Sequence, residues 1–342
     1  MNDFEHTSAA SAADALAKLG GAPSAPGTSY PAAPARFIAG GTDLIPLMHD
    51  HLAAPTRLID LKPAHDLRGV RLAADGALAI GALTTLTDIE RDPAVAERAP
   101  ILIEAVREAA TPQLRAMATI GGNLLQRTRC WYFRGETRCW LKGGDTCYAR
   151  AGRSDHHAIL GTDSSPCIAV HPSDLAPALV ALDARVAISG PRGTSTALVA
   201  DLLQPPTADR RVEHTLAPDE LITAIEIPPQ PAGARGVYLK AMERAAWSFA
   251  LASAAVQLAL RDGRVDHIRI VLGGVAPTPW RAVDAERLLI GQPLTPALAT
   301  QAAERALASA SPFDHNAYKQ PLARALVRRA VLRASAMESE GA

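Results

Sequence analysis

The sequence predicts an α+β protein built as two domains that meet near residue 230. Three observations carry that prediction. The chain has 342 residues, more than one typical domain and enough for a sizeable buried core. A Pro/Gly stretch at 228–236 separates two patterned regions, which sets the expected domains at 1–230 and 231–342. Beyond that stretch the pattern runs strands first and helices after, the mark of an α+β unit.

Each element follows from local pattern. Residues 8–20 read as a helix, because Ala12, Ala15, Leu16 and Leu19 share one face. Ser8 or Ser11 can cap it, and Gly20-Gly21 ends it. Pro23, Pro26, Pro31 and Pro34 make 22–35 a loop. Arg36 to Ala39 is a short buried strand. Gly40-Gly41-Thr42-Asp43 follows, and Leu44-Ile45-Pro46-Leu47-Met48 starts a helix with Thr42 or Asp43 as N-cap and Pro46 tolerated in the first turn. Strands are expected at 57–61 and 77–81, and helices over 87–96 and 101–110. Thr119-Ile120-Gly121-Gly122-Asn123 is a second Gly-Gly turn. Segment 127–167 has little hydrophobic periodicity and reads as an irregular insertion held by something other than a core. Ser173 caps a helix from Asp174 to Leu182, and 185–188 is a strand. Residues 204–219 are polar with prolines, and 221–227 is a strand stopped by Pro228-Pro229. The second domain should hold a strand at 237–241, a helix or strand at 248–260, a turn at Asp262-Gly263, a strand at 265–272, and helices at 281–290, 296–310 and 319–335.

Composition excludes several functions. Lys+Arg and Asp+Glu are 35 each, so a nucleic-acid partner held by bulk positive charge is not expected. No run of 18 apolar residues is present, so no membrane-spanning helix is expected. Met1-Asn2-Asp3-Phe4-Glu5-His6 has no basic or apolar signal-peptide region. The chain lacks G-x-G-x-x-G, G-x-x-x-x-G-K-[ST] and G-x-S-x-G, which disfavours a Rossmann nicotinamide enzyme, an NTPase and a serine hydrolase of the nucleophile-elbow type.

What remains is two glycine motifs and a cysteine cluster. Adjacent glycines between strand and helix let backbone N–H groups form an anion nest, suited to a diphosphate. Each motif alone is also well explained as an ordinary tight turn. Two in one domain point to one extended ligand gripped from two sides. All four cysteines, Cys130, Cys139, Cys147 and Cys167, lie in one insertion. Their spacing lacks the close pairs of structural zinc sites, whereas iron–sulfur clusters tolerate irregular spacing of four thiolates. Arg127, Arg129, Arg134, Arg138, Lys142, Arg150 and Arg153 outnumber Glu136 and Asp145 there, and Trp131, Tyr132, Phe133 and Trp140 offer shielding. A cluster suits these features, with zinc, free thiols and disulfides as alternatives. His156-His157 reads as loop, Asp174 as a helix-dipole complement, and Lys240 as an exposed lysine.

Ile38-Ala39-Gly40-Gly41-Thr42-Asp43-Leu44, Thr119-Ile120-Gly121-Gly122-Asn123 and His171-Pro172-Ser173-Asp174, in that order, resemble the FAD-binding medium subunit of the molybdenum hydroxylases. That family includes xanthine dehydrogenase, carbon monoxide dehydrogenase and aldehyde oxidoreductase. The cysteine insertion is similar to that of the bacterial periplasmic-type aldehyde oxidoreductase FAD subunit. The resemblance implies a vanillyl-alcohol-oxidase-like (PCMH-type) two-subdomain FAD-binding domain and a smaller C-terminal α+β domain of the CO dehydrogenase flavoprotein type. It implies that Ile38, Ala39, Gly40, Gly41, Thr42, Asp43, Leu44, Ile45 and Pro46 bind the FAD diphosphate. Thr119, Gly122 and Asn123 would bind from the second loop, Asp174 would contact polar groups of FAD, Ile222 would pack at the flavin, and Lys240 would lie near the isoalloxazine. Cys130, Cys139, Cys147 and Cys167 would ligate a 4Fe–4S cluster.

The implied function is electron transfer within a heteromeric aldehyde oxidoreductase. A large partner subunit would carry the molybdenum cofactor and a small one the 2Fe–2S centres, and FAD would deliver to an external acceptor. No catalytic acid or base is then expected in this chain. The alternatives are a stand-alone FAD-dependent reductase and a zinc-stabilised nucleotide-binding scaffold. The expected compartment is the cytoplasm, or the periplasm by co-export with a signal-bearing partner.

Overall fold

The structure is a computed structural model that describes residues 2–20 and 34–335. Most of the loop expected at 22–35 lies outside the described residues. From the N-terminus, β1 (Glu5–Ser8), α1 (Ala12–Leu19), β2 (Ala35–Ile38), α2 (Leu44–His49) and β3 (Arg57–Asp60) make a small parallel layer, ordered β1-β3-β2. The helix expected from residue 8 starts only at Ala12, capped by Ser11. Glu5–Ser8 is instead a strand. It carries no apolar residue and is largely exposed, so alternation cannot reveal it, and only pairing with β3 makes it one.

Next come β4 (Val70–Leu72), β5 (Leu78–Gly81), α3 (Leu86–Arg91), α4 (Pro93–Arg98), α5 (Pro100–Glu108), α6 (Pro112–Arg115), α7 (Ile120–Leu124), α8 (Trp131–Arg134), α9 (Leu175–Ala181), β6 (Arg185–Gly190), β7 (Gly193–Leu198), α10 (Val199–Leu202) and β8 (Leu221–Ile227). Their strands form an antiparallel sheet, β4-β5-β8-β6-β7. Ile80, Val186 and Ile225 from the sheet share one core with Leu102, Val106, Ile120 and Leu179 from the helices. The single helix expected at 87–96 is two helices. Thr85 caps the first with a capping box through Asp88, and Asp92 caps the second with Pro93 at its first position, where a proline loses no intrahelical bond.

The chain ends in β9 (Arg235–Ala241), β10 (Ala252–Arg261), β11 (Arg264–Gly273), β12 (Trp280–Arg281), α11 (Val283–Leu289), α12 (Pro296–Ala306) and α13 (Lys319–Ala334). The strands form an antiparallel sheet, β12-β11-β10-β9. Val256, Leu258, Ile268 and Ile270 pack with Leu289, Ala303, Val327 and Val331. The ambiguous 248–260 stretch is a strand from Ala252. Eight consecutive residues of it are buried, so its hydrophobic pattern has no period to separate strand from helix.

Candidate functional site

The two glycine motifs meet. A Cβ on Gly40 would stand 1.9 Å from the Met117 carbonyl oxygen, so only glycine lets the turn after β2 lie against the chain entering α7. Gly41 has φ +73°, a region that side chains with a Cβ rarely adopt. The backbone N–H groups of Gly40, Gly41, Thr42, Asp43 and Leu44 donate to no protein acceptor among the described residues, which leaves donors for an anion.

The second motif is built differently. It is the short helix α7, not an open turn, with Thr119 as its N-cap. Its donors are taken: Ile120 bonds the Thr84 carbonyl at 3.1 Å, Gly121 the Ala82 carbonyl at 3.0 Å, and Asn123 the Thr119 carbonyl at 2.8 Å, while Gly122 reaches Thr119 Oγ1 at 3.3 Å. This motif supplies side-chain-free surface rather than an anion nest. A Cβ on Gly121 would lie 3.1 Å from Ala82, so that glycine serves packing.

Both motifs open onto one cleft of about 590 Å³, within the range of cofactor pockets. Ile38, Ala39, Gly40, Gly41, Thr42, Asp43, Leu44, Thr119, Gly122 and Ile222 all line it. Ile45 and Pro46 point to solvent, and Asn123, Asp174 and Lys240 lie away from it. Asn123 Oδ1 accepts from Ser173 Oγ at 2.5 Å. Buried His171 donates from Nε2 to the Leu124 carbonyl at 3.2 Å, and burial pulls its pKa down to about 4. These bonds fasten α7 to the start of α9. Lys240 is not the exposed lysine its surroundings in sequence suggest. Its side chain is fully buried, with Nζ 2.8 Å from Asp174 Oδ2 and 2.9 Å from the Glu108 carbonyl. Tyr238 donates to the other Asp174 oxygen at 2.8 Å. Burial raises the Asp174 pKa, and Lys240 and Tyr238 oppose that shift.

Sequence reasoning missed the opposite wall of the cleft. It is the stretch from Asp209 to Leu221, with Arg210, Arg211 and His214 among its residues. Nothing local marks it beyond polarity and prolines. Also missed is a second cleft of about 330 Å³, where Trp131, His156, Trp247 and Phe249 gather near Asp174 and Cys130.

The four cysteines line a single small cavity together with Tyr132, Phe133, Trp140, Leu141 and His157. Trp131 is not among the shielding rings. It faces the second cleft, in ring contact with His156 and His157. His157 Nε2 stands 3.1 Å from Cys130 Sγ. Burial pushes the Cys130 thiol up to about 12. A hydrogen bond from Cys167 pulls Cys147 down and pushes Cys167 up. No disulfide joins any of them. Among the described residues, no three His, Cys, Asp or Glu side chains are gathered tightly enough for one metal ion.

The expectation that this segment lacks a core needs correction. Phe133, Trp140 and Leu141 pack with Ile38, Leu47 and Met48. Several of its basic residues serve as struts rather than as a field around the thiols. Arg129 and Arg134 pair with Asp43, Arg150 bonds the carbonyls of Thr162, Ser165 and Pro166, and Lys142 those of Phe133 and Gly135. Although burial works against its charge, the two arginines hold the Asp43 carboxyl below its ordinary value.

Comparison with known proteins agrees with this architecture. Residues 2–230 match the family described as the FAD binding domain in molybdopterin dehydrogenase. Residues 237–334 match the CO dehydrogenase flavoprotein C-terminal domain. The chain is 40% identical to the aldehyde oxidoreductase FAD-binding subunit PaoB of Escherichia coli strain K12, over 85% of this chain and 88% of that one. It is 33% identical to the carbon monoxide dehydrogenase medium chain of Afipia carboxidovorans, over 88% of this chain and 89% of that one. A solved carbon monoxide dehydrogenase from Hydrogenophaga pseudoflava superposes with a TM-score of 0.77 at 28% identity, covering 99% of both chains. With two glycine motifs on one cleft, an α+β C-terminal unit and these relatives, the chain belongs to the FAD-binding medium subunits of the molybdenum hydroxylases, a family of oxidoreductases.

Proposed function

We propose that this chain is the FAD- and 4Fe–4S-containing electron-transfer subunit of a heteromeric, molybdenum-dependent aldehyde oxidoreductase. It takes electrons from the 2Fe–2S centres of a small partner subunit and passes them through FAD to an external acceptor. The molybdenum cofactor belongs to a large partner subunit. The division of labour within the chain follows the proposed domains, 1–230 for FAD and the cluster and 231–342 for the C-terminal unit.

The observation that carries this reading is the meeting of unpaired backbone donors and a large cleft beside four thiols on one cavity. Bound FAD exchanges single electrons with iron–sulfur carriers and electron pairs with an acceptor, while a 4Fe–4S cluster carries one electron at a time. The protein's share is to bind and orient. The N–H groups from Gly40 to Leu44 hold the diphosphate, Thr119 and Gly122 give the dinucleotide a flat approach, and Ile222 packs at the flavin. Asn123, Asp174 and Lys240 do not line this cleft, and their role would be at the flavin end of FAD beyond it. There the buried Lys240 ammonium supplies positive charge, oriented by Asp174.

Cys130, Cys139, Cys147 and Cys167 form an all-thiol donor set, which suits iron–sulfur ligation. The space among them is about 10 Å³, no more than one water, so the thiols would have to move apart to hold a cluster. A zinc ion, by contrast, would draw the sulfurs to about 2.3 Å around one centre. The proposed compartment is the cytoplasm, or the periplasm by export together with a signal-bearing partner.

Anaerobically purified protein tests the reading. The expected result is one FAD and about four irons per chain, with visible absorbance that dithionite bleaches beyond the flavin contribution. Replacing Cys139 with Ser should remove the iron. One zinc and no iron would sink the cluster assignment, and absence of flavin would sink the whole proposal.

A further inference from the structure

Between α10 and β8 the chain forms the far wall of the large cleft without regular structure. It bonds locally to the end of α10, its Asp219 and Glu220 pair with Arg192 of the β6–β7 turn, and a further set of ties runs to the cysteine segment. Glu213, nearly fully buried, lies with Oε2 2.7 Å from Arg127 Nε and accepts from the Thr128 N–H at 3.3 Å. Arg211 donates to the carbonyls of Trp140 at 2.7 Å and Gly144 at 2.9 Å, with its guanidinium over the Trp140 ring. Ser165 donates to the Pro206 carbonyl at 2.6 Å and accepts from the Cys167 N–H at 3.1 Å.

The near wall is tied to the same segment. Asp43, in the glycine turn, accepts from the Arg127 N–H at 2.8 Å and from Arg134 at 2.8 Å, and pairs with Arg129. These partners bracket Cys130. Both walls of the cleft are therefore bonded to the segment that carries the thiols.

We infer that the cysteine segment is a strut of the dinucleotide cleft, so that cluster occupancy sets FAD affinity through Glu213 and Asp43 as positioning residues. The inference rests on the FAD and cluster assignments proposed above. Its physical basis is the coupling of two sites through one shared, bonded element. With the cluster bound, four thiolate bonds would add to the segment's own packing and hold both walls at their spacing. With the cluster lost, the Arg127–Glu213 and Asp43 contacts loosen and the walls no longer close on the dinucleotide. Coupling of binding free energies is reciprocal, so FAD should also raise the affinity for the cluster iron. Glu213 is the sharper probe, because its own side chain does not line the cleft and is spent on Arg127 and the Thr128 N–H.

The test measures FAD dissociation from the full-length chain by recovery of free flavin fluorescence, with iron per chain measured in parallel. Four proteins are compared: the wild type, Cys139→Ser, Glu213→Gln and the double variant. A wild-type sample stripped of iron by chelator and then rebuilt with iron and sulfide guards against misfolding of any variant. Removal of the cluster should weaken FAD binding about tenfold, a usual size for coupling between sites, and rebuilding should restore it. Glu213→Gln should weaken it similarly while keeping its iron, and the double variant should be no worse than Cys139→Ser. Iron lost with FAD affinity unchanged, or effects that multiply in the double variant, would overturn the strut while leaving the cofactor assignments standing. A wild-type chain that binds no iron would overturn the cluster assignment and the strut together.

Discussion

Gly41 shows how one residue controls the cleft. Its φ of +73° means that any side chain is strained there, and a Cβ would also press on Ile45 at 3.1 Å. Gly41→Val should therefore twist the turn and turn its donors away from the diphosphate. The expected outcome is loss of most bound flavin on gel filtration, with a stability cost of about 1–2 kcal/mol from the left-handed backbone. Retention of full yellow absorbance would refute the role of this loop. Lys240 and Asp174 make a second residue-scale case. Lys240→Met removes the partner of a buried carboxylate, and breaking such a pair typically costs about 3–5 kcal/mol. Chemical unfolding of Lys240→Met and of the double variant with Asp174→Asn should show the second change recovering part of the loss.

Acid sensitivity also belongs to single residues. His171 is held neutral, with its pKa lowered from 6.5 to about 4 by burial. A depressed histidine contributes stability that is present above the unfolded-state pKa and is lost as pH falls through the folded-state pKa. The window is thus pH 6.5 down to about 4. Urea unfolding across that range should show falling stability in the wild type and a flatter profile in His171→Asn, because that variant takes up no proton at this position, while buried His157 and His214 still do. An equally steep profile in the variant would assign the acid loss elsewhere.

At the scale of elements, the cleft depends on how closely β2–α2 and the entry to α7 approach. Gly40→Ala places a methyl group 1.9 Å from the Met117 carbonyl oxygen, which is backbone and cannot rotate away. Overpacking of this kind typically costs about 1–3 kcal/mol. Here it should also part the two motifs and lower flavin content, read from the ratio of visible to protein absorbance and from the thermal midpoint. Unchanged flavin content would mean that the spacing of the two elements is not what shapes the site. The motifs themselves are legible in sequence, because Gly-Gly beside a strand and a helix is a local signal. Their different states are not. Two donors of α7, Ile120 and Gly121, are taken by Thr84 and Ala82, distant in sequence, while no such partner among the described residues reaches the first motif.

For the whole molecule, the reading requires docking surfaces and partners. Among the described residues no helix is long and apolar enough to cross a membrane. Coexpression with the two proposed partner subunits should yield one complex on size exclusion, carrying molybdenum, iron and flavin together. A chain that remains alone and reduces an external acceptor by itself would favour the stand-alone reductase. Cell fractionation with and without the partners checks the compartment, and periplasmic export of the lone chain would contradict the proposal.

The sequence by itself determined the α+β class, the order of strands before helices in the C-terminal unit, both glycine motifs and the cysteine cluster. These depend on residue type and near-neighbour spacing, which act within a turn or two of chain. Tertiary structure alone decided the rest. It made polar Glu5–Ser8 a strand by pairing it with β3, and it brought the patternless 209–219 stretch to the same cleft as Gly40. It also turned Asp43 toward arginines some ninety residues away and sealed Lys240 against Asp174. The physical reason is common to all four. A polar or charged group settles where another group can satisfy it, and when that partner comes from a distant part of the chain, no local pattern records the match.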